Sequence, residues 1–188
     1  MISALMLLYP VSCATQPSTS RFEPVFLSGQ ARYYLLPAAE IERPVDCAQQ
    51  ISVRYEGQEF TMDAWVKADA NGIEMSLFNA LGVGMGDFSF SDDGVSLNSP
   101  VFPPSFKAEY MAADFQLCYF RREALGRALG EIGLSLDVIG GGDENGLRSE
   151  IRRISEAGEL IIEIEKNGNE IRYANFLRGY GYTLREAE

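Results

Sequence analysis

Apolar and polar residues alternate along residues 60–97, in a run that also contains several turn signals. The apolar residues in its first part occupy every second position: Phe60, Met62, Ala64, Val66 and Ala68. A period of two places such a set on one face of a β-sheet and most of the intervening polar residues on the other. The pairs Asn71-Gly72 and Asp93-Gly94 are typical of tight hairpin turns, which need positive backbone φ angles. The run therefore predicts antiparallel strands with one apolar face.

The same alternation recurs elsewhere in the chain and gives about ten or eleven predicted strands. Examples are residues 50–55, residues 159–166 and, after an Asn-Gly turn, residues 171–177. Between Pro100 and Gly133 the apolar spacing changes to three and four, which is typical of amphipathic helices. Two short helices inserted in an antiparallel meander are long enough to lie across its apolar face. The pattern predicts a mainly β protein with inserted helices, of the α+β class.

Composition narrows the range of functions. A length of 188 residues without an internal repeat indicates one domain. The net charge of −11 disfavours nucleic acid as a partner, since phosphate binding needs clustered Lys and Arg. The chain has no histidine, which removes Ser–His and Cys–His dyads and most zinc sites. We therefore expect a protein that is not an enzyme and that carries no cofactor or metal.

The amino terminus has the order of a lipoprotein signal. An apolar run at residues 2–9 ends at Ser12-Cys13-Ala14, and a polar tract follows. This order resembles the lipobox of bacterial lipoproteins, in which the cysteine is acylated, so the resemblance implies a lipid anchor at Cys13. Signal peptides open with positive charge, and the first basic residue here is Arg21, so we expect part of the signal to lie upstream of Met1. The alternative is a frayed apolar tail.

Ala14 follows the cysteine where an Asp would retain a lipoprotein at the inner membrane, so the resemblance favours the periplasmic face of the outer membrane. The expected organisation is a signal and lipobox region at 1–13, a polar tether at 14–30 and one folded domain at 31–188.

Two segments in the second half of the chain resemble motifs of a known family. Residues 112–120, AADFQLCYF, and the following Ala124-Leu125 resemble the "aDlQLayWP…aL" signature of an uncharacterised family of predicted outer-membrane lipoproteins. Residues 173–184, YANFLRGYGYTL, resemble that family's closing "lxN…gYxLxi" motif. Phe120-Arg121 replaces the usual Trp-Pro. The similarity covers roughly residues 30–186.

This resemblance implies a fold and a ligand class. The associated fold is that of LolA and LolB, an open antiparallel half-barrel whose concave apolar side is lidded by helices and receives lipid acyl chains. Such genes commonly lie in clusters that make aryl-polyene and related fatty-acyl products, beside a LolA-like carrier. The implied partners are a lipid, acyl or polyene chain, a LolA-like periplasmic carrier and the outer membrane.

On this interpretation, inward-facing apolar residues line a ligand cavity. The predicted set is Phe60, Met62, Val66, Ile73, Met75, Leu77, Phe88, Phe90, Met111, Phe115, Leu160, Ile162 and Ile164. The alternative is that these residues form an ordinary core against the two helices. In the apolar insert at residues 77–82, Phe78 and Leu81 are candidates for contact with membrane or lipid at the barrel mouth. The alternative is that the insert tucks under the helices.

Several polar groups keep two interpretations. Asp114 and Gln116 can contact a lipid head group, or Asp114 can bond backbone or a nearby Arg to fix the helix. Cys47 and Cys118 can form a disulfide in an oxidising periplasm if their Cα atoms approach within about 7 Å. Asp143 and Glu144 can bind a cation or can belong to a solvated loop.

The sequence favours an anchored protein that accepts a lipid or acyl chain for transfer or insertion. One alternative is a periplasmic hydrolase or transferase that acts on the same acyl product, with Asp114 in acid–base catalysis. No G-x-S-x-G motif supports that alternative. Another alternative is a structural adaptor whose concave face binds a protein partner.

Overall fold

The computed structural model describes residues 22–103, 106–142 and 148–187. Within them, ten strands form one antiparallel sheet and two more form a short ribbon. The ribbon consists of β1 (Val25–Phe26) and β2 (Arg32–Tyr33). The large sheet consists of β3 (Val45–Tyr55), β4 (Gln58–Asp69), β5 (Gly72–Phe78), β6 (Gly84–Ser91), β7 (Gly94–Asn98), β8 (Leu134–Gly142), β9 (Arg148–Glu156), β10 (Glu159–Asn167), β11 (Glu170–Asn175) and β12 (Tyr180–Glu186). The helices are a 3-10 turn at Ala38–Glu40, α1 (Ala108–Tyr119) and α2 (Arg122–Glu131).

The strand order explains where the helices lie. The large sheet runs β7-β6-β5-β4-β3-β12-β11-β10-β9-β8, so β7 and β8 are its two edges and are not paired with each other. These two strands are neighbours in the chain apart from α1 and α2. The helical segment must therefore pass from one edge of the curved sheet to the other, across its open side. The predicted mainly β fold, an open half-barrel lidded by helices, is confirmed.

The alternation predicted from residues 60–97 is present in the register. Val66 pairs with Met75, which pairs with Phe88, and all three side chains are buried on the concave face. Trp65, one position away, is 52% exposed on the convex face. Side chains of consecutive strand residues point to opposite faces, so this register gives the sheet one apolar face and one solvent-exposed face.

The two helices differ in position. Helix α1 lies in the concavity, where Leu117 and Cys118 are buried. Helix α2 packs on edge strand β8 through Leu125 and Leu129, which are also buried. Helix α1 is therefore the lid proper, and α2 leads the chain on to β8. Among the described residues, neither helix is long and apolar enough to cross a membrane.

The segment before β2 differs from the predicted tether at 14–30. Val25 and Leu27 are buried, and the Phe22 ring lies 5.6 Å from the ring of Phe90. Apolar residues at positions 22, 25 and 27 account for this packing, because burying them removes apolar surface from water. Cys13 and the first part of the tether lie outside the described residues.

Candidate functional site

A cavity of about 940 Å³ lies between the concave face of the sheet and α1. This volume falls in the upper part of the range typical of small-molecule sites, about 300–1,000 Å³. Its wall is formed by β3, β4, β5 and β12, and its cover by α1 and the segment before it. The only charged side chains among its described lining residues are Lys107, Asp114 and Arg178. The wall is therefore suited to an apolar guest.

The register gives this cavity a direction. At one end Tyr55 pairs with Tyr180, and further in, Ile51 pairs with Leu184. Helix α1 follows the same axis, from Lys107 at the first end to Tyr119 at the second. We refer to the end bounded by Tyr55, Phe60 and Phe106 as the mouth. The side chains of these three residues are 50%, 47% and 38% exposed, so the mouth opens to solvent.

Apart from Leu160, the predicted cavity residues divide into two groups. Those that line the cavity are Phe60, Met62, Val66, Met75, Leu77, Met111 and Phe115. Those that pack elsewhere in the interior are Ile73, Phe88, Phe90, Ile162 and Ile164. Leu160 is half-buried and outside both the cavity and the core, and Ile161 is buried in the core instead, next to a register shift between Leu160 and Ile162. Alternation assigns a residue to a face of the sheet, but it does not tell which part of that face another element covers.

Sequence reasoning missed a second set of lining residues, on the central strands β3 and β12 and on the segment that leads to α1. They include Ile51, Val53, Phe102, Tyr180, Tyr182 and Leu184. A signal existed, because residues 51, 53 and 55 alternate and the tyrosines at 180 and 182 share one parity. The sequence pattern did not show that β12, the last described strand, pairs with β3, the first strand of the large sheet.

Asp114 holds a tyrosine cluster together at the cavity wall. The Tyr173 hydroxyl donates to Oδ1 of Asp114 at 2.8 Å, and the Tyr180 hydroxyl donates to Oδ2 at 2.8 Å. The ring of Tyr173 stacks on that of Tyr182 with centroids 4.6 Å apart. Burial raises the pKa of Asp114 to about 7, against the opposing effect of these two hydrogen bonds and of Arg178. The partners of Asp114 are thus tyrosines, rather than the backbone or Arg bond predicted from the sequence.

Asp114→Asn should change how stability depends on pH. Asp114 has a folded-state pKa of about 7 against 3.8 as its ordinary value, so deprotonation costs the folded protein stability. That loss is absent near pH 4 and complete above about pH 7. We expect the variant to match the wild type near pH 4 and to be more stable by roughly 4 kcal/mol at pH 8. Urea unfolding across this range measures the difference; two parallel pH profiles would contradict it.

Gln116 is a structural residue, and the two cysteines are not paired with each other. Gln116 Oε1 accepts from the Tyr33 hydroxyl at 2.9 Å, and its Nε2 donates to the Leu36 carbonyl at 2.9 Å, which fixes α1 to the segment around β2. Cys47 and Cys118 are free thiols. Burial raises the pKa of Cys118 to about 11, so it is a poor nucleophile. No cluster of His, Cys, Asp or Glu suited to a metal occurs in the described ranges, and Asp143 and Glu144 lie outside them.

A second cavity, of about 350 Å³, lies beyond the inner end of the first. Its lining mixes apolar and charged side chains and includes the ion pair between Lys166 and Glu150, whose N–O distance is 2.8 Å. Gln49, Tyr119 and Leu184 line both cavities and therefore stand between them.

The insert after β5 forms an ordered loop with an exposed tip. Oδ1 of Asn79 accepts hydrogen bonds from the backbone N–H of Leu81 at 2.9 Å and of Val83 at 3.0 Å. Leu81 is 88% exposed and Val83 58% exposed, while Phe78 is half-buried. The Asn79 side chain thus holds an apolar tip out in solvent rather than under the helices.

Two comparisons with known proteins bear on this chain. A family model described as a protein of unknown function, DUF3261, matches residues 46–188. The search of curated proteins found no match to the chain. The matched region includes both predicted motifs and every strand of the large sheet except the first residue of β3. It carries no information on a lipid anchor, a LolA- or LolB-like fold or a gene cluster, which stay predictions.

Proposed function

The chain belongs to the DUF3261 family of proteins of unknown function, and we propose that it is a non-enzymatic carrier or acceptor of a lipid or acyl chain. The observation that carries this proposal is the cavity of about 940 Å³ under α1. Both oxygens of Asp114, the carboxylate on its wall, are occupied by tyrosine hydroxyls. Acid–base chemistry at Asp114 would require breaking that cluster, so binding is the better supported role.

The cavity wall indicates the chemistry of the guest. Aromatic and aliphatic side chains dominate it, and the methionines at 62, 75 and 111 adapt their shape to a flexible chain. An acyl or polyene chain, such as that of an aryl-polyene product, has the length and apolarity to occupy such a space. We further propose that Cys13 anchors the protein to the periplasmic face of the outer membrane, where a LolA-like carrier delivers the chain for insertion.

Native mass spectrometry of protein purified from a host that carries its gene cluster tests the proposal. We expect ions whose additional mass corresponds to one lipid or acyl product, and release of that mass on denaturation. Protein that is always free of such a mass, and that also takes up no fatty acid in vitro, would contradict a carrier or acceptor role.

Leu81→Glu should slow delivery of a bound chain to a membrane without destabilising the protein. We propose that the exposed tip at Leu81, together with Phe78, contacts the membrane during transfer. An exposed leucine that enters lipid contributes about 1.5 kcal/mol or more, so we expect transfer of a fluorescent fatty acid to phospholipid vesicles to slow about tenfold. The free energy of unfolding should change by no more than about 0.5 kcal/mol, because Leu81 has few contacts to lose.

Trp65→Glu provides the matched control for this experiment. Trp65 is also an exposed apolar residue, at 52%, but it lies on the convex face within β4. Its replacement should leave the transfer rate unchanged. Equal slowing by both variants would show that general surface charge, rather than the loop tip, governs transfer.

A further inference from the structure

The inner end of the apolar cavity is bounded by Gln49, Tyr119 and Leu184, and the first two are hydrogen-bonded to each other. Nε2 of Gln49, on β3, donates to the Tyr119 hydroxyl, at the end of α1, at 2.9 Å. Gln49 is only 3% exposed although it is polar. A buried amide destabilises the protein when its hydrogen bonds are not made. Separating Gln49 from Tyr119 would therefore cost free energy, and the pair stays together.

The surroundings of the pair fix both partners. The Tyr119 ring stacks on Phe115 with centroids 4.4 Å apart, and the Tyr119 carbonyl accepts from the Glu42 N–H at 2.9 Å. Gln49 Nε2 also lies 3.6 Å from Cys47 Sγ. Burial raises the pKa of Tyr119, which keeps its hydroxyl neutral. The pair is thus a neutral, anchored partition between two cavities.

Polarity changes sharply across this partition. On its near side Ile51, Met62 and Phe115 line the apolar cavity. On its far side the smaller cavity contains the Lys166–Glu150 ion pair. Each methylene that moves from water into the apolar cavity stabilises the bound chain. A methylene that moves into a chamber with charged side chains adds no such stabilisation. The favourable length of chain therefore ends at the pair.

The mouth, unlike the neutral Gln49–Tyr119 pair at the inner end, carries charged side chains. Lys107 and Arg178 line the cavity there, and the Arg178 guanidinium lies 4.9 Å from the centre of the Tyr110 ring. Because these side chains keep their charged ends in water, they can contact a polar or anionic group of the ligand while that group stays solvated. A chain that enters tail-first leaves its polar group at this end.

We propose that Gln49 and Tyr119 form the floor of the ligand cavity and set the longest apolar chain that the protein accepts. The ligand class is a single-chain amphiphile that enters tail-first and keeps its polar group at the mouth. This inference rests on the proposed function, which it deepens by assigning the residues that determine chain length.

Saturated fatty acids of increasing chain length, in competition with a fluorescent fatty acid, test the floor. For the wild type, affinity should rise by about three- to fourfold per added methylene and then stop rising at a limiting length. In Tyr119→Ala and in Gln49→Ala the floor opens into the second cavity. We expect affinity in both variants to continue rising beyond the wild-type limit.

Phe60→Ala is the control. It enlarges the cavity at its mouth, far from the Gln49–Tyr119 pair, so it should retain the wild-type limit. Circular dichroism verifies that each variant is folded. The two opening variants lie on different elements, so one of them still tests the floor if the other does not fold. An unchanged limit in the opening variants overturns the floor but leaves chain binding intact. A wild type that binds no fatty acid overturns the proposed function and the floor together.

Discussion

Ile51→Glu should weaken binding of a fatty acid at least about 100-fold while the protein stays folded. Ile51 lies on β3, half-buried, and its side chain forms part of the apolar wall. In the unliganded cavity a carboxylate at this position can keep water around it. A chain that enters must remove that water, which costs several kcal/mol, and each 1.4 kcal/mol is a factor of ten in affinity.

The fold should tolerate Ile51→Glu because Ile51 faces a cavity and not a closely packed core. We expect a stability loss of about 1–3 kcal/mol, against the 5–15 kcal/mol typical of a domain. Fluorescent fatty acid titration measures the affinity, and native mass spectrometry should show the variant without the mass bound by the wild type.

Gln50→Glu is the matched control for the Ile51 variant. Gln50 directly precedes Ile51 on β3 and points to the exposed convex side, so the same charge is added one position away. Its affinity should stay within about twofold of the wild type. Equal losses in the two variants would point to an effect of net charge, and unchanged affinity in Ile51→Glu would place the chain outside this cavity.

Arg152→Leu should destabilise the protein by about 3–5 kcal/mol, the usual cost of breaking a buried charged network. The Arg152 side chain is 1% exposed. Nη1 donates to the carbonyls of Leu117 and Phe120, each at 2.9 Å, and thereby caps the end of α1. Nε donates to Glu150 at 2.7 Å. Leucine fills much of the space but leaves two helix-end carbonyls without these donors.

Arg153→Leu separates this effect from loss of any arginine. Arg153 is the next residue of β9, is 44% exposed and pairs with Glu163 at 2.7 Å. Exposed ion pairs contribute about 1 kcal/mol or less, so this variant should unfold near the wild-type urea midpoint. If Arg152→Leu lowered the free energy of unfolding no more than Arg153→Leu does, the position of α1 would depend on its apolar contacts alone. A large loss for Arg152→Leu would show that this residue holds the lid on the half-barrel.

The two strand-centred variants also differ in what they test. Ile51 belongs to the cavity wall, where a charge acts on the guest, whereas Arg152 belongs to the support of α1, where its loss acts on the fold. A variant of the first kind should change affinity with little change in unfolding, and one of the second kind should do the reverse. Measuring both quantities on both variants separates the site from its scaffold.

Local sequence pattern was sufficient for the strands, the two helices and the apolar face. The alternation at residues 60–68 and the Asn-Gly and Asp-Gly turns depend on neighbouring residues only, because side-chain direction in a strand has a period of two. The family motifs around Asp114 and Tyr180 also marked the segments that the structure brings together. Neither pattern gave the partners: Asp114 bonds Tyr173 and Tyr180, more than fifty positions away.

By itself, the sequence determined that this protein is a mainly β chain with two inserted helices and one apolar sheet face. Only the tertiary structure decided which part of that face is cavity and which part is core. Pairing of β3 with β12 placed Ile51 and Leu184 on the wall, and α1 meets β3 at the Gln49–Tyr119 pair, which bounds the inner end of the cavity. The physical reason is that periodicity reports the direction of a side chain, whereas burial depends on what the rest of the chain packs against it.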